Sequence, residues 1–289
     1  MRVVVLGAGG QLGAALIACA PPEALLSAHT HAAIDIGDEA LLNRLLPPLA
    51  PQLIINAAAY TQVDAAESDE KAAFRSNSLG PGLLAAFARD AGARLIHVST
   101  DFVFDGNRSS PYQVDSEPRP LGAYGRSKLA GERAVLGALP DNSVVLRSAW
   151  LYAAKGRNFV NTMLRLMATR ESIGVVMDQV GSPTWATSLA ATVWAIAQNP
   201  AIRGIQHWCD AGVASWYDFA VAIQEEALGR RLLDRRIPVR AIRTMDYPTP
   251  ARRPSYSVLD TRHTVALLGF SPPHWRDNLR KTLDELVTA

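Results

Sequence analysis

The sequence predicts an α/β protein with a Rossmann-type, doubly wound parallel sheet and a smaller C-terminal portion. Short β-branched runs alternate with helical segments through the first half of the chain, and each run is continuous, as in strands that are buried on both faces. A glycine-rich turn directly follows the first run. The 289 residues suffice for one large α/β domain with an appendage. We therefore expect ligands at the carboxyl ends of the strands.

The predicted elements alternate regularly up to about residue 150. Residues 3–6 (VVVL) form a buried strand, and the helix that follows stops at the Pro21-Pro22 pair because proline cannot continue a helix. Asp38 can cap the next helix, since its carboxylate accepts a hydrogen bond from the first-turn N–H groups. The other predictions are strands at 25–29, 53–56, 94–99 and 144–146, and helices at 11–20, 38–46, 82–91 and 127–136.

Composition argues against several classes of protein. The formal net charge of +2 is too small for a dedicated nucleic-acid binder. No apolar run reaches the roughly 18 residues of a membrane span, and glycines interrupt the N-terminal run where a signal peptide needs a continuous helix. The two cysteines, Cys19 and Cys209, cannot make a disulfide framework. We therefore expect a cytoplasmic protein with neither nucleic acid nor membrane as partner.

The first chemical motif is the glycine-rich segment 7–13 (GAGGQLG), which follows a strand and opens a helix. Its glycines, among them Gly7, Gly10 and Gly13, let the backbone approach a pyrophosphate closely. The free N–H groups and the positive end of the helix then meet the phosphate charge. The motif predicts dinucleotide binding, with a purely structural turn as the alternative.

The chain is predicted to divide near residue 150. Residues 1–150 form the dinucleotide-binding Rossmann domain, and residues 151–289 form mainly a substrate-binding portion. Helices are expected there at 159–167, 188–198 and 216–228, separated by proline- and arginine-rich connections at 235–254. Elements at about 185–207 are expected to return to the Rossmann domain.

The second motif is a tyrosine and a lysine, Tyr124 and Lys128, in the segment 124–128 (YGRSK). The i, i+4 spacing places the phenol and the ammonium on one face of a helix. A nearby cation favours phenolate, so we expect Lys128 to lower the pKa of Tyr124 from its usual value of about 10. The hydroxyl could then exchange a proton near neutral pH. Two unrelated surface residues are the alternative.

The third motif is Thr100, at the end of the predicted fourth strand. Carboxyl ends of parallel strands face the ligand crevice, so a threonine hydroxyl there can donate a hydrogen bond to a substrate carbonyl as charge develops on its oxygen. A turn in which the hydroxyl only closes the strand is the alternative.

Longer blocks of sequence surround these motifs. The blocks are residues 56–61 (NAAAYT), 63–67 (VDAAE), 99–106 (STDFVFDG), 124–132 (YGRSKLAGE), 147–152 (RSAWLY), 178–184 (DQVGSPT) and 247–254 (YPTPARRP). With the glycine loop they resemble the extended short-chain dehydrogenase/reductase superfamily and, more closely, the dTDP-4-dehydrorhamnose reductase family. The resemblance covers nearly the whole chain.

The resemblance implies reduction of the C4 ketone of dTDP-4-dehydro-6-deoxy-L-mannose by a nicotinamide cofactor, which gives dTDP-L-rhamnose. Tyr124 would be the proton donor, Lys128 would hold the nicotinamide ribose, and Thr100 would polarise the carbonyl. Substrate contacts would come from Thr100, Asp101, Trp150 and one arginine of the last block, Arg253 or Arg252. Cofactor contacts would come from Gly10, Gln11, Leu12, Asp35, Ile36, Ala59, Tyr60 and Thr61. Asn77 also matches the family, with helix packing as the alternative.

The cofactor is predicted to be NADPH, with NADH also accepted. An NAD-selective fold usually has an acidic residue at the end of the second strand, whereas here that strand ends at residues 28–30 (AHT). Thr30 can donate a hydrogen bond to a 2′-phosphate. The preference should be modest because no arginine lies nearby in sequence. Asp35 would reverse it if it reached the ribose.

Several alternatives stay open at the level of sequence. One is a non-catalytic NADP-binding regulatory subunit, like the methionine adenosyltransferase β subunit, although such a protein needs no proton-transfer residues. Another is a sister nucleotide-sugar reductase, epimerase or dehydratase on the same fold. Some relatives are magnesium-associated homodimers. The helix after Gly13 begins with Ala14-Ala15 and offers no carboxylate, so we predict no metal site, while a homodimer remains open.

Overall fold

The computed structural model describes residues 1–288 as a mixed α/β fold around a parallel sheet. Its strands are β1 (Arg2–Leu6), β2 (Leu25–His29), β3 (Leu53–Asn56), β4 (Arg94–Thr100), β5 (Ser143–Ser148), β6 (Leu151–Tyr152), β7 (Ile173–Val176), β8 (Val180–Gly181), β9 (Thr184–Trp185), β10 (Gly204–His207), β11 (Ala214–Ser215) and β12 (Val239–Ile242). Its helices are α1 (Gln11–Ala18), α2 (Glu39–Leu45), α3 (Val63–Ala66), α4 (Glu70–Phe74), α5 (Gly80–Ala91), α6 (Ala123–Ala138), α7 (Phe159–Thr169), α8 (Ala186–Gln198), α9 (Trp216–Gly229), α10 (Arg262–Leu268) and α11 (Trp275–Thr288).

The main sheet has six strands in the order β10-β5-β4-β3-β1-β2, and every neighbouring pair is parallel. After β2 the chain crosses back to place β3 on the other side of β1. This reversal makes the crevice at the carboxyl ends of β1 and β3 the expected ligand site. The topology confirms the predicted doubly wound fold.

Both faces of the main sheet are covered by helices. One apolar cluster packs α1 and α8 against alternate residues of the strands, such as Val3 and Val5, and a second packs α2, α5 and α6 against the residues between them, such as Val4 and Leu6. All four residues of β3 are buried, which is why its sequence is continuously apolar up to Asn56.

Most boundaries of the predicted elements agree with the structure to within a few residues. Asp38 caps α2 as expected, since its carboxylate accepts a hydrogen bond from the Leu41 amide at 2.9 Å. The largest correction concerns α6, which begins at Ala123 rather than at residue 127 and so holds Tyr124 in its first turn. The short helices α3 and α4, the C-terminal helices α10 and α11 and the small strands after β5 were not predicted. The short elements carry too little apolar periodicity to be recognised, whereas α11 has apolar residues at helical spacing, Trp275, Leu279 and Leu283, that sequence reasoning overlooked.

A third apolar cluster lies outside the main sheet. It packs α7, α9 and α11 with the two-stranded pairing of β7 and β12. Strand β10 instead pairs with β5 in the main sheet, and helix α8 packs against one face of that sheet. This packing supports the division near residue 150 with a return at 185–207, which stays a prediction. No helix among residues 1–288 combines the length and hydropathy that crossing a bilayer requires.

Candidate active site

A cavity of about 710 Å³ opens at the carboxyl ends of β1, β3, β4 and β5, beside the start of α9. This is where the reversal of strand order predicts a ligand. Predicted site residues that line it are Gly10, Gln11, Leu12, Ala59, Thr61, Thr100, Asp101, Tyr124, Lys128, Trp150 and Arg253. The fold thus brings the three sequence motifs into one space.

The glycine loop fits a pyrophosphate. Gly7 has a φ of +84°, and a side chain there or at Gly13 would collide with the loop backbone, so these two glycines shape the turn. A Cβ on Gly10 would find no atom closer than 3.4 Å, which leaves that backbone open toward the cavity. Helix α1 begins there without a side-chain cap and without an acidic residue in its first turn. Its first N–H groups therefore suit an anion.

A loop with two cations, residues 153–158, flanks the glycine loop. The side-chain amide of Asn158 donates hydrogen bonds to Gln11 Oε1 and to the Ala153 carbonyl, both at 2.8 Å. Lys155 and Arg157 in this loop line the same cavity. Sequence reasoning missed both cations because nothing local connects residues 155–157 with the glycine loop.

Tyr124 and Lys128 lie one turn apart on α6 and both face the cavity. Burial raises the pKa of Tyr124 to about 12, against a smaller opposing effect of the Thr100 hydroxyl. The expectation that Lys128 lowers this pKa is therefore wrong here. The Lys128 ammonium donates instead to the Val98 carbonyl at 2.7 Å, and burial lowers its own pKa to about 8. Tyr124 consequently stays protonated at neutral pH, which is the form a proton donor needs.

Thr100 ends β4 and has two roles in the structure. Its hydroxyl accepts a hydrogen bond from the Phe102 amide at 3.2 Å, so the strand-closing turn given as the alternative is present. The same hydroxyl donates to Asp101 Oδ1 at 3.1 Å, and both residues line the cavity. Asp101 Oδ2 is buried and has no hydrogen-bond partner among residues 1–288. Burial raises the pKa of Asp101 to about 6.

Two stacked indoles form another wall of the cavity. The rings of Trp150 and Trp216 lie parallel, with centroids 3.4 Å apart. Trp150 has a φ of +48°, and a Cβ on Gly181 would approach its indole to 2.6 Å. The glycine of the 178–184 block is thus explained by the close approach of Trp150. Sequence reasoning missed Trp216, since the stack joins positions far apart in the chain.

Arg253 lines the cavity, whereas its neighbour Arg252 is exposed and does not. The Arg253 guanidinium donates to Asp64 Oδ2 at 2.8 Å. This contact joins two of the sequence blocks, 63–67 and 247–254. It also holds the guanidinium at the cavity wall, where its charge suits an anionic ligand.

Other predicted cofactor residues lie outside the cavity. Ile36 is buried in the apolar cluster beneath α2, so its side chain is part of the core. Asp35 pairs with Arg75 at 2.7 Å, which brings to this region an arginine that the sequence did not suggest. Thr30 stands beside the glycine loop, 3.5 Å from the position of a Cβ on Gly9.

Asn77 connects Tyr60 with helix α6. Its side chain accepts a hydrogen bond from the Tyr60 amide at 2.9 Å and donates to the Tyr60 carbonyl at 3.0 Å. It also donates to the Ser127 hydroxyl of α6 at 3.0 Å. Asn77 lies in a π-helical turn, Arg75–Leu79, that continues α4 into α5. Such turns are frequent at functional sites.

A Rossmann sheet with an open glycine loop beside a tyrosine and a lysine one helical turn apart defines a short-chain dehydrogenase/reductase type of site. The family model described as RmlD substrate binding domain matches residues 1–288. The chain therefore belongs to the RmlD family, the family of the dTDP-4-dehydrorhamnose reductases.

Named relatives and a solved structure agree with this membership. The dTDP-4-dehydrorhamnose reductase of Mycobacterium tuberculosis is 44% identical over 98% of this chain and 92% of its own. A probable dTDP-4,6-dihydroxy-2-methyloxan-3-one 4-ketoreductase of Streptomyces antibioticus is 40% identical over 100% and 97%. The structure of a Bacillus anthracis dTDP-4-dehydrorhamnose reductase in complex with NADP superposes with a TM-score of 0.92 at 34% identity, covering 98% of this chain and 99% of that one.

Proposed function

We propose that the protein is an NADPH-dependent oxidoreductase that reduces the C4 ketone of dTDP-4-dehydro-6-deoxy-L-mannose to dTDP-L-rhamnose. The observation that carries the proposal is the convergence of Thr100, Tyr124 and Lys128 beside an open glycine loop in one cavity. The named relatives support the substrate, and the NADP-bound neighbour supports the cofactor. The predicted identity as an enzyme of dTDP-rhamnose biosynthesis follows from the same relatives.

The chain's own residues would prepare and protonate the substrate. The N–H groups of Gln11 and Leu12 would hold the cofactor pyrophosphate, which can approach closely at Gly10, whose own N–H donates to the Gly7 carbonyl. Lys128 would hold the cofactor ribose. When bound, a nicotinamide cofactor would supply the hydride that reduces the C4 ketone. Thr100 would turn its hydroxyl proton from Asp101 Oδ1 to the carbonyl oxygen, and the neutral Tyr124 phenol would donate its proton to that oxygen as it becomes an alkoxide.

Product analysis tests the proposal most directly. The purified protein is incubated with NADPH and the dTDP-4-keto-6-deoxy sugar, and the product is identified by NMR. We expect NADPH oxidation only when the sugar is present, with dTDP-L-rhamnose as product. Tight NADP(H) binding without turnover would instead indicate a regulatory subunit.

A sister reductase is the second candidate function. The Streptomyces antibioticus relative, named as a ketoreductase of a different dTDP sugar, is 40% identical to this chain. The stereochemistry at C4 depends on how the sugar is seated over the cofactor. A different C4 epimer in the same NMR experiment would favour this function.

Arg75 is expected to maintain the preference for NADPH. Its guanidinium neutralises Asp35, whose uncompensated charge would repel the 2′-phosphate. An ion pair this exposed is worth up to about 1 kcal/mol, so Arg75→Ala should lower the ratio of kcat/KM for NADPH to that for NADH by up to roughly fivefold. Arg89→Ala, which breaks an exposed pair with Asp90 on α5, is the matched control. An unchanged ratio in Arg75→Ala would show that Asp35 does not sense the 2′-phosphate.

The cellular setting is proposed as well. We infer a cytoplasmic enzyme that acts on a small nucleotide sugar, and a homodimer is the assembly to be tested. Both cysteines, Cys19 and Cys209, are free in the structure, as is usual in a reducing compartment. Light scattering coupled to size exclusion measures the oligomeric state, and a monomer at micromolar concentration would contradict the dimer.

A further inference from the structure

A buried polar network lies beside Tyr124 and Lys128, the proposed proton donor and its neighbouring lysine. The Ser99 hydroxyl donates to Glu132 Oε1 at 2.5 Å. Arg147 donates to the same carboxylate through two nitrogens, Nε to Oε1 at 2.9 Å and Nη2 to Oε2 at 2.6 Å. The side chains of Arg147 and Glu132 are only 1% and 2% exposed. A carboxylate with three short hydrogen bonds in the protein interior is thus fully satisfied.

Each member of this network is adjacent to a residue of the proposed site. Ser99 directly precedes Thr100 at the end of β4, and Glu132 follows Lys128 by four residues on α6. Arg147 lies near the end of β5, three residues before Trp150. The carboxylate of Glu132 therefore connects the three elements that deliver the substrate-side and proton-transfer residues.

Stability alone is a weak explanation for the network. Removing two charges from water costs several kcal/mol per ion, and a well-packed apolar pair at such a position is often as stable or more so. Buried polar side chains also occur on β3 and β10, such as Asn56 and His207, but among residues 1–288 the Arg147–Glu132 pair is the ion pair with both side chains almost wholly buried. A buried ion pair directly beneath the reacting groups calls for a reason connected with them.

The charges around Lys128 provide that reason. The titratable groups coupled to the ammonium are Glu132, one turn further along α6, and His97 on β4. Tyr124 and Asp101 line the same cavity, and Arg147 is hydrogen-bonded to Glu132. His97 is buried, and its pKa is lowered first by burial and then by the charge of Lys128, so it is neutral at pH 7. Glu132 is the anion that favours the protonated form of Lys128.

We propose that Glu132 is a positioning residue of this active site, which fixes Ser99 and Arg147 under the substrate pocket and supplies the negative charge that faces the Lys128 ammonium. The proposal rests on the function proposed above for Lys128 and Tyr124. Glu132 touches neither substrate nor cofactor positions, since it does not line the cavity. Its effect is transmitted through its neighbours on β4, β5 and α6.

The consequence is a specific dependence on pH. The pKa of Lys128 is already lowered to about 8 by burial, with Glu132 opposing that effect. Because the i, i+4 spacing places Glu132 one helical turn from Lys128, loss of its charge should lower the pKa of Lys128 by about one unit. Cofactor binding and turnover, which use the ammonium, should then decline at a lower pH than in the wild type.

The experiment compares Glu132→Gln with the double variant Glu132→Gln/Arg147→Met. The glutamine keeps the shape of the side chain and can still accept from Ser99, but it leaves Arg147 without its anion. The double variant removes both charges and is the better folded reference if the single variant is unstable. Glu226→Gln is the matched control, because Glu226 accepts hydrogen bonds from Arg230 and Arg280 on the surface of α9, outside the cavity.

Two quantities are measured from pH 6 to 9. The first is the dissociation constant of NADPH, obtained from the fluorescence of the cofactor, and the second is kcat/KM. In Glu132→Gln we expect the loss of NADPH affinity and of kcat/KM at alkaline pH to begin about one pH unit lower than in the wild type. A smaller shift in the same direction is expected in the double variant, since the repulsion from Arg147 is also gone. Glu226→Gln should keep the wild-type profiles.

The results separate this proposal from its alternatives. If the variants melt at lower temperature but keep the wild-type pH profiles and kcat, Glu132 is only structural and the proposal is overturned. Because NADPH binding needs no sugar, its pH profile still tests the role of Glu132 if the wild type fails to reduce the dTDP sugar, a failure that would concern only the proposed function.

Discussion

Tyr124→Phe is expected to lower kcat by about 10²–10⁴, the range typical of a lost general acid. The substitution removes one hydroxyl and keeps the ring, which packs edge to face against Phe102 at a centroid distance of 5.7 Å. Affinity for NADPH should therefore change little. Stopped-flow measurement of NADPH oxidation and fluorescence titration of the cofactor separate the two effects.

The control for this prediction is Tyr217→Phe, on α9. Tyr217 packs against the cluster of the smaller portion and does not line the cavity, so loss of its hydroxyl should leave kcat unchanged. Turnover by Tyr124→Phe near the wild-type rate would mean that another group, or water, donates the proton.

Replacement of Lys128 is expected to impair both turnover and cofactor binding. Lys128→Ala removes the buried ammonium and leaves a cavity, whereas Lys128→Met keeps most of the side-chain volume. In both variants we expect kcat to fall by about 10² or more, because a preorganised positive charge beside the reacting groups is lost. The KM for NADPH should rise in parallel, since the same ammonium is proposed to hold the ribose.

A pH profile distinguishes this role from a packing role. The pKa of Lys128 is about 8, and the protonated form is the active one, so wild-type kcat/KM should fall as the pH rises through 8. Lys128→Met should lose that alkaline limb. Lys281→Met, on the exposed face of α11, is the control and should keep the wild-type rate and profile. A KM for NADPH that does not change in Lys128→Met would contradict the contact with the ribose.

Local patterns in the sequence determined the architecture and indicated the candidate reacting groups. Continuous apolar runs indicated the buried strands, Asp38 indicated the start of α2, and the glycines indicated the loop that opens at Gly10. The i, i+4 spacing placed Tyr124 and Lys128 on one helix face. These features depend on residues within about ten positions of one another, which is why they are readable without a structure. The roles of these residues stay predictions until the variants are measured.

Only the tertiary structure decided the electrostatics of the site. Burial by several elements reverses the expected shift in the pKa of Tyr124 and turns Lys128 toward the Val98 carbonyl. Long-range packing also brings Arg75 to Asp35 and stacks Trp216 on Trp150. A pKa depends on the solvent and charges that surround a group in space, and an interior contact depends on which elements pack together. Neither is encoded in the spacing of neighbouring residues, so both appear only when the chain is folded.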